Sequence, residues 1–401
     1  MDARLPARGS RPRGPGITGR MTAHELATPT IQDAVGAFVD EVVLPHVADW
    51  DRDDVLPDTA WEQLVALGVP GALVPVEHGG AGRTVASMVP VWRTLSQGWI
   101  SLTGAVNPTG LATALLVRDG TPAQRERWLP RFADGTAHAA FSITEPQAGS
   151  DLARLETTAT PERDGLTLRG RKRWVAGGVS ADVVFLLARV DGELSCVVLP
   201  ADGRGTASWQ VDEIDKVGYR GVESAAYRFA AHHEPTAEIL GGPDRVGAGA
   251  RQMLGALGVG RVNVACRALG IVDRALAVAL QESTGREIGD GLLGDHTHVQ
   301  LRVGELRARL MAAESLTERA AFAVDEEAEN ARELSTAAKV VASDTAVWAV
   351  DLAARLSASR SYRAGDELAR LRRDAPQTQI GEGANDALLL ALGRGEIAGA
   401  S

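Results

Sequence analysis

Apolar residues near the start of the chain recur at helical spacing. Ile31, Val35, Phe38 and Val42 stand three or four positions apart, which places them on one face of an amphipathic helix. Residues 61–68, Trp-Glu-Gln-Leu-Val-Ala-Leu-Gly, predict a helix stopped by its glycine. The helical pattern continues over residues 30–134, with Pro45, Pro57 and Pro70 expected to punctuate its connections. The run from Pro75 to Gly82 reads as a conformational turn, since no buried strand and no Lys-Ser/Thr pair frame it as a phosphate loop.

The period then changes. Leu166 and Leu168, residues 183–190 and residues 194–199 predict short strands, the last two joined by a hairpin turn at Asp191, Gly192 and Glu193. Turn clusters at Pro161, Asp164 and Gly165 and at Gly203, Arg204 and Gly205 suit a small β-barrel or sandwich. No proline occurs between Pro243 and Pro376, where each would break a helix at a cost of about 3 kcal/mol. Within that span Val299, Val303, Leu306, Leu310 and Ala313 form one apolar stripe. Leu334, Ala337, Val341 and Trp348 form another, with Thr345 its one polar member, so a helical bundle is expected. The predicted organisation is an extension over residues 1–20, a helical domain over 21–135, a β domain over 136–243 and a helical bundle over 244–401.

Composition narrows the function. A hydrophobic content of 45% is that of a globular chain rather than a disordered one. With 52 Asp+Glu against 42 Lys+Arg, the balance argues against a nucleic-acid binder. Cys196 and Cys266, the two cysteines, fall in a strand pattern and an apolar helix pattern. They are expected to be reduced core residues, which leaves no disulfide framework, metal site or thiol nucleophile and suits a reducing cytoplasm. No apolar run is expected to span a membrane. Residues 1–20 are rich in Arg, Pro and Gly; Pro6, Pro12 and Pro15 forbid the helix of a transit peptide, so a disordered extension before a second start at Met21 is expected.

Two segments carry the chemistry. The first is Phe141, Ser142, Ile143, Thr144, Glu145, Pro146, Gln147, Ala148, Gly149, Ser150, Asp151, in which small residues sit between hydroxyls. Such a loop lets backbone N–H groups approach a planar polar ligand. The second, residues 374–385, places Glu382 between Gly381 and Gly383. Taken together and in order, they resemble the acyl-CoA dehydrogenase family, whose paired motifs read roughly T-E-P-x-A-G-S-D and Y-E-G-T. The second motif departs from the family pattern at Gly381 and Ala384.

The resemblance implies a mostly α fold with a β middle domain: an N-terminal helical domain, a small β-barrel or sandwich and a C-terminal four-helix bundle. It implies FAD-dependent α,β-dehydrogenation of an acyl thioester, carried by CoA or by an acyl carrier protein as in related natural-product (secondary) metabolism. Removing the weakly acidic α-proton needs a carboxylate base, and the β-hydride needs an acceptor that no side chain provides. Glu382 matches the family's base, with flavin N5 as hydride acceptor and the Gly383 backbone facing the substrate carbonyl. Phe141, Ser142, Ile143, Thr144 and Ser150 match the flavin-contacting loop, and Ser150 also the serine at the thioester arm. Trp174, Val175 and Ala176 stand at the triplet that packs on the flavin, although Trp174 equally suits a core aromatic; Ala176 replaces a frequent hydroxyl. Arg261 resembles the arginine near the thioester arm. Arg286, upstream of His296, resembles the arginine that reaches a neighbouring subunit's flavin pyrophosphate, which implies a homodimer or homotetramer; a solvated helix face suits either arginine as well.

Gly289, Asp290 and Thr297 depart from that segment, and residues 355–359 (Arg-Leu-Ser-Ala-Ser) replace a Q-x-x-G-G run that grips the adenylate. Two other classes stay open: a flavin monooxygenase or oxidase on the same fold, which Glu382 argues against, and a scaffold that has lost flavin, which the altered 355–359 run favours. The resemblance also implies a separate electron acceptor as a partner.

Overall fold

The computed structural model describes residues 30–399; the predicted extension and Met21 lie outside them. Helix α1 (Ile31–Phe38) starts on a capping box in which the Thr30 hydroxyl accepts from the Asp33 N–H and Asp33 accepts from the Thr30 N–H. A π turn, Val39–Val43, leads directly into α2 (Leu44–Asp53). Pro45 was expected at a connection but opens α2 inside this continuous run. The first turn of a new helical register is the position where its missing N–H costs least. Helix α3 (Asp58–Ala66) follows Pro57 and ends before Gly68, whose φ of 70° supplies the expected stop. In the 75–82 turn, Gly80 and Gly82 donate to the carbonyls of Pro75 and Val74, so these amides are spent locally.

Helices α4 (Val85–Gly98), α5 (Ile100–Asp119) and α6 (Pro122–Ala133) complete the N-terminal layer. By length and composition alone α5 could cross a membrane, contrary to the expectation that no run would qualify. Its apolar window is 78% buried inside the protein, the pattern of a helix packed on all sides.

The middle of the chain forms one eight-stranded sheet. Its strands are β1 (Ala139–Ser142), β2 (Thr158–Pro161), β3 (Leu166–Ala176), β4 (Val183–Val190), β5 (Glu193–Pro200), β6 (Trp209–Glu213), β7 (Ser224–Glu234) and β8 (Glu238–Ile239). The order runs β6-β7-β3-β2-β4-β5-β8, with β1 parallel to β4. The predicted β4–β5 hairpin forms with Val190 opposite Glu193, so the turn is Asp191–Gly192 alone, both at positive φ. The β3–β7 register slips between Lys172 and Val175, leaving Arg173 and Trp174 in a bulge.

Helix α7 (Gly249–Gly285) opens the C-terminal bundle; a short hairpin, β9 (Glu287–Ile288) and β10 (Gly291–Leu292), leads to α8 (Thr297–Asp325). Helices α9 (Ala331–Ser357), α10 (Glu367–Ile380) and α11 (Asn385–Gly399) follow. The α8 stripe is buried as predicted at Val299, Leu306, Leu310 and Ala313. On α9 the predicted stripe lies at the edge of the buried face: Thr345 is buried and Leu334 and Trp348 pack on the core. Ala338, Ala342, Thr345, Ala346, Ala349 and Ala353 turn inward, whereas Val341 of the predicted stripe is exposed. Facing alanines at 265, 268, 275 and 279 of α7 share that cluster, and small side chains let two helices approach closely. Cys196 and Cys266 are free and buried, and burial pushes the Cys266 thiol up to about 12.

Candidate active site

Glu382 sits between two helices in a left-handed backbone conformation. Helix α10 ends at Ile380, Glu382 adopts φ 54° and Gly383 φ 104°, and α11 begins at Asn385. A non-glycine residue in that region is strained, and such strain concentrates at functional positions. Here it turns the carboxylate inward. Oε1 accepts from Asn107 Nδ2 of α5 at 2.8 Å. On the other side is Gly260 of α7, where an added Cβ would stand 2.9 Å from the Glu382 carboxyl carbon. The acid is therefore clasped between α5 and α7.

Three further groups hold this turn. The side chain of Lys339, on α9, is wholly buried; its Nζ donates to the carbonyls of Gln379 (2.9 Å) and Gly383 (2.7 Å) and to Asn385 Oδ1 (2.7 Å). These acceptors flank Glu382 on both sides, and one is a last-turn carbonyl of α10, where a cation is favoured. Burial lowers the Lys339 ammonium to about 8, against the pull of Glu382. Arg261 is also buried, with Nε 3.4 Å from the Glu382 carbonyl oxygen and NH1 3.2 Å from Thr336 Oγ1. Burial lowers its pKa while the Glu382 charge raises it. A solvated helix face is thus excluded for Arg261. Beside it lies a cavity of about 700 Å³, lined by Arg261, Arg332, Glu333, Thr336, Leu388 and Glu396 among others.

The first predicted segment closes around a different pair. Arg173 N–H donates to Thr144 O at 2.9 Å, which sets the β3 bulge against the end of β1. Beneath this contact Lys172 Nζ donates to Glu145 Oε1 (2.8 Å) and Ile143 O (3.0 Å), with both side chains buried. Glu145 also accepts from the N–H groups of Glu156 and Thr157. Burial raises the Glu145 pKa, but Lys172 and these donors together hold it below the usual carboxylate range. Burial lowers Lys172 to about 8 despite its partner. The Glu145 of the motif is therefore the keystone of its loop.

Trp174, in the bulge at φ 60°, is 55% exposed, which rules out a core aromatic. Val175 points into the sheet core, Ala176 is half-buried, and Ser150 is exposed. Ser142 is buried and its hydroxyl has no partner. Phe141 and Ile143 pack on the same apolar cluster as Leu111 of α5 and Val259 of α7, so α5 is a wall common to both halves. Arg286 joins neither half: its NH1 donates to Leu356 O at the end of α9, inside the altered 355–359 run. Gly383 is exposed, and its carbonyl is committed to Lys339.

Asn107, Lys339 and Lys172 went unnoticed in the sequence, and Glu145 was read only as part of its motif, without a role of its own. One signal was available for two of them. The chain has only three lysines, at 172, 216 and 339, and a lysine kept where arginine is the usual cation stands out, since it is the cation whose pKa shifts readily on burial.

Comparison with known proteins covers nearly the whole chain. Residues 28–136, 140–231 and 247–397 match the models of the acyl-CoA dehydrogenase N-terminal, middle and C-terminal domains. The chain is 31% identical over 367 residues to (2S)-methylsuccinyl-CoA dehydrogenase of Cereibacter sphaeroides, covering 88% of this chain and 66% of that longer protein. It is 27% identical to the mitochondrial isobutyryl-CoA dehydrogenase of Bos taurus, over 98% of this chain and 96% of the relative. Among solved structures, butyryl-CoA dehydrogenase from Megasphaera elsdenii superposes with a TM-score of 0.85 at 27% identity, over 92% of this chain and 97% of that one.

Proposed function

Because the chain belongs to the acyl-CoA dehydrogenase family, whose members are FAD-dependent flavoproteins, we propose that it removes hydrogen from the α and β carbons of an acyl thioester. The observation that carries this reading is the clasp on Glu382: a strained backbone, an amide donor and a glycine wall together aim one carboxylate into the seam between α5 and α7. In that seam Glu382 takes the α-proton onto a carboxylate oxygen. Asn107 keeps that oxygen oriented, and Lys339 and Arg261 keep the turn from drifting.

The residues of the first segment fit a planar cofactor. The open Trp174 indole offers a stacking surface beside Thr144, and the buried Ser142 hydroxyl lacks a partner. When bound, FAD supplies the two-electron acceptor for the β-hydrogen. Phe141, Ile143, Thr144, Trp174 and Ala176 would hold its ring, Val175 contributing backbone only. Arg286 is proposed to act toward a second subunit, and the exposed Leu301, Met311 and Phe322 of α8 suit a subunit contact. The cavity beside Arg261 suits the thioester arm. Relatives named for methylsuccinyl, isobutyryl and butyryl thioesters support CoA as the carrier, and an acyl carrier protein is the competing arm. A reducing cytoplasm remains the proposed location.

Purified protein should be yellow, and an acyl-CoA should bleach it without oxygen. Glu382→Gln should abolish bleaching while the flavin stays bound. Colourless protein that cannot take up FAD, or bleaching that survives Glu382→Gln, overturns the reading; NAD(P)H-dependent oxygen consumption points instead to a monooxygenase.

A further inference from the structure

We propose that Tyr219, locked by Arg267, is the floor of the acyl pocket and restricts this protein to short acyl groups; the inference rests on Glu382 being the base. Helices α5 and α7 pass each other in opposite directions. Leu111 faces Gly260, and further back along α5 the Thr103 carbonyl accepts from Asn263 Nδ2 at 3.5 Å. Glu382 enters this seam at Asn107. Gly104 is one turn away along α5, about 4.5 Å at the usual helical rise. There the seam is already filled. A Cβ on Gly104 would collide with the Tyr219 hydroxyl and ring, so the absence of a side chain at 104 is what admits the phenol.

Tyr219 comes from the segment between β6 and β7, outside both helices, and is held at each end. Its backbone takes φ 56°, and its N–H donates to Asp374 Oδ1 at 2.8 Å. Its hydroxyl accepts from Arg267 NH1 at 3.0 Å, and the guanidinium carbon lies 5.2 Å from the ring centroid. Arg267 is fixed in turn by Nε donating to Asn263 Oδ1 at 2.8 Å. Arg267 is 2% exposed and Tyr219 6%, so neither side chain has room to swing aside. Burial raises the phenol's pKa, Arg267 pulls it down, and the Glu382 and Asp374 charges raise it again. An acyl tail running from Glu382 toward residue 104 meets this ring within one helical turn. Pressing a longer tail onward would bury methylenes against a guanidinium and unseat its hydrogen bonds.

The test measures binding rather than turnover. Flavin-loaded Glu382→Gln protein is titrated calorimetrically with butyryl-, hexanoyl-, octanoyl- and dodecanoyl-CoA, with Tyr219 intact and with Tyr219→Ala or Tyr219→Leu added. With Tyr219 present, affinity should stop rising at the shorter thioesters. In either floor variant it should go on rising, by about fourfold per buried methylene. Two variants are used so that one misfolded protein does not decide the matter. A steady climb to dodecanoyl-CoA with Tyr219 intact, or identical length profiles in all proteins, overturns the floor alone. If no acyl-CoA binds to any of them, the reading of the site falls and the floor falls with it.

Discussion

Asn107 Nδ2 lies 2.8 Å from Glu382 Oε1, although 275 residues separate the two in sequence. The contact joins the N-terminal helical layer to the last turn of the bundle, and it does so with a single directional donor. Hydrogen bonds to charged groups contribute about 1.5–3 kcal/mol. If Asn107 positions the base, Asn107→Leu should lower the rate of anaerobic flavin bleaching by about tenfold to a hundredfold, with the flavin retained. An unchanged rate would show that the contact is incidental.

Lys339 should act on the same acid through the backbone. Lys339→Met removes three hydrogen bonds that straddle Glu382. The expected result is a bleaching rate reduced at least about tenfold, with a smaller effect on acyl-CoA affinity, since the groups lost orient the turn rather than touch the ligand. Lys339→Arg should restore part of the rate by keeping a cation near the end of α10. Equal losses of rate and affinity in both variants would instead indicate general unfolding.

The Lys172–Glu145 pair offers a stability experiment. Removing one partner leaves a charge buried with no counter-charge, at a cost of about 3–5 kcal/mol. Lys172→Met should therefore lower the urea midpoint sharply, and Lys172→Met with Glu145→Gln should recover much of the loss. A double variant no better than the single one would mean that the lysine acts by packing alone.

Asp374 predicts a pH dependence. It is fully buried, and burial raises its carboxyl to about 6, although Arg370 and the Tyr219 N–H pull it down. A carboxyl whose pKa is higher folded than unfolded contributes stability that is complete below the unfolded value. That contribution is lost as pH rises through about 6. Asp374→Asn keeps an acceptor for the Tyr219 N–H and cannot ionise. It should therefore raise the melting temperature relative to the parent above pH ~7, by an amount worth at most about 3 kcal/mol. The advantage should vanish near pH ~4. A difference that is constant with pH would show that Asp374 does not titrate in this range.

What could be read in advance followed from local rules. The α8 stripe, the Gly68 stop and the hairpin at Asp191 and Gly192 each depend on residues a few positions apart, and each formed where expected. Pro45 and the centre of the buried face of α9 escaped, because a π turn and an alanine seam are choices made by packing partners rather than by the segment itself.

The same division runs through the site. Glu382 and the Phe141 loop were visible as motifs, since glycines and hydroxyls in short runs carry their own conformational meaning. By itself the linear order of residues determined the three-part arrangement and singled out the candidate acid and the Phe141 loop. Which amide meets that acid, which lysine ties its turn and which tyrosine closes the seam were decided only when α5, α7, α9 and the segment after β6 came together. Those partners are distant in the chain, and a hydrogen bond depends on where atoms finally lie, which no periodicity in the sequence encodes.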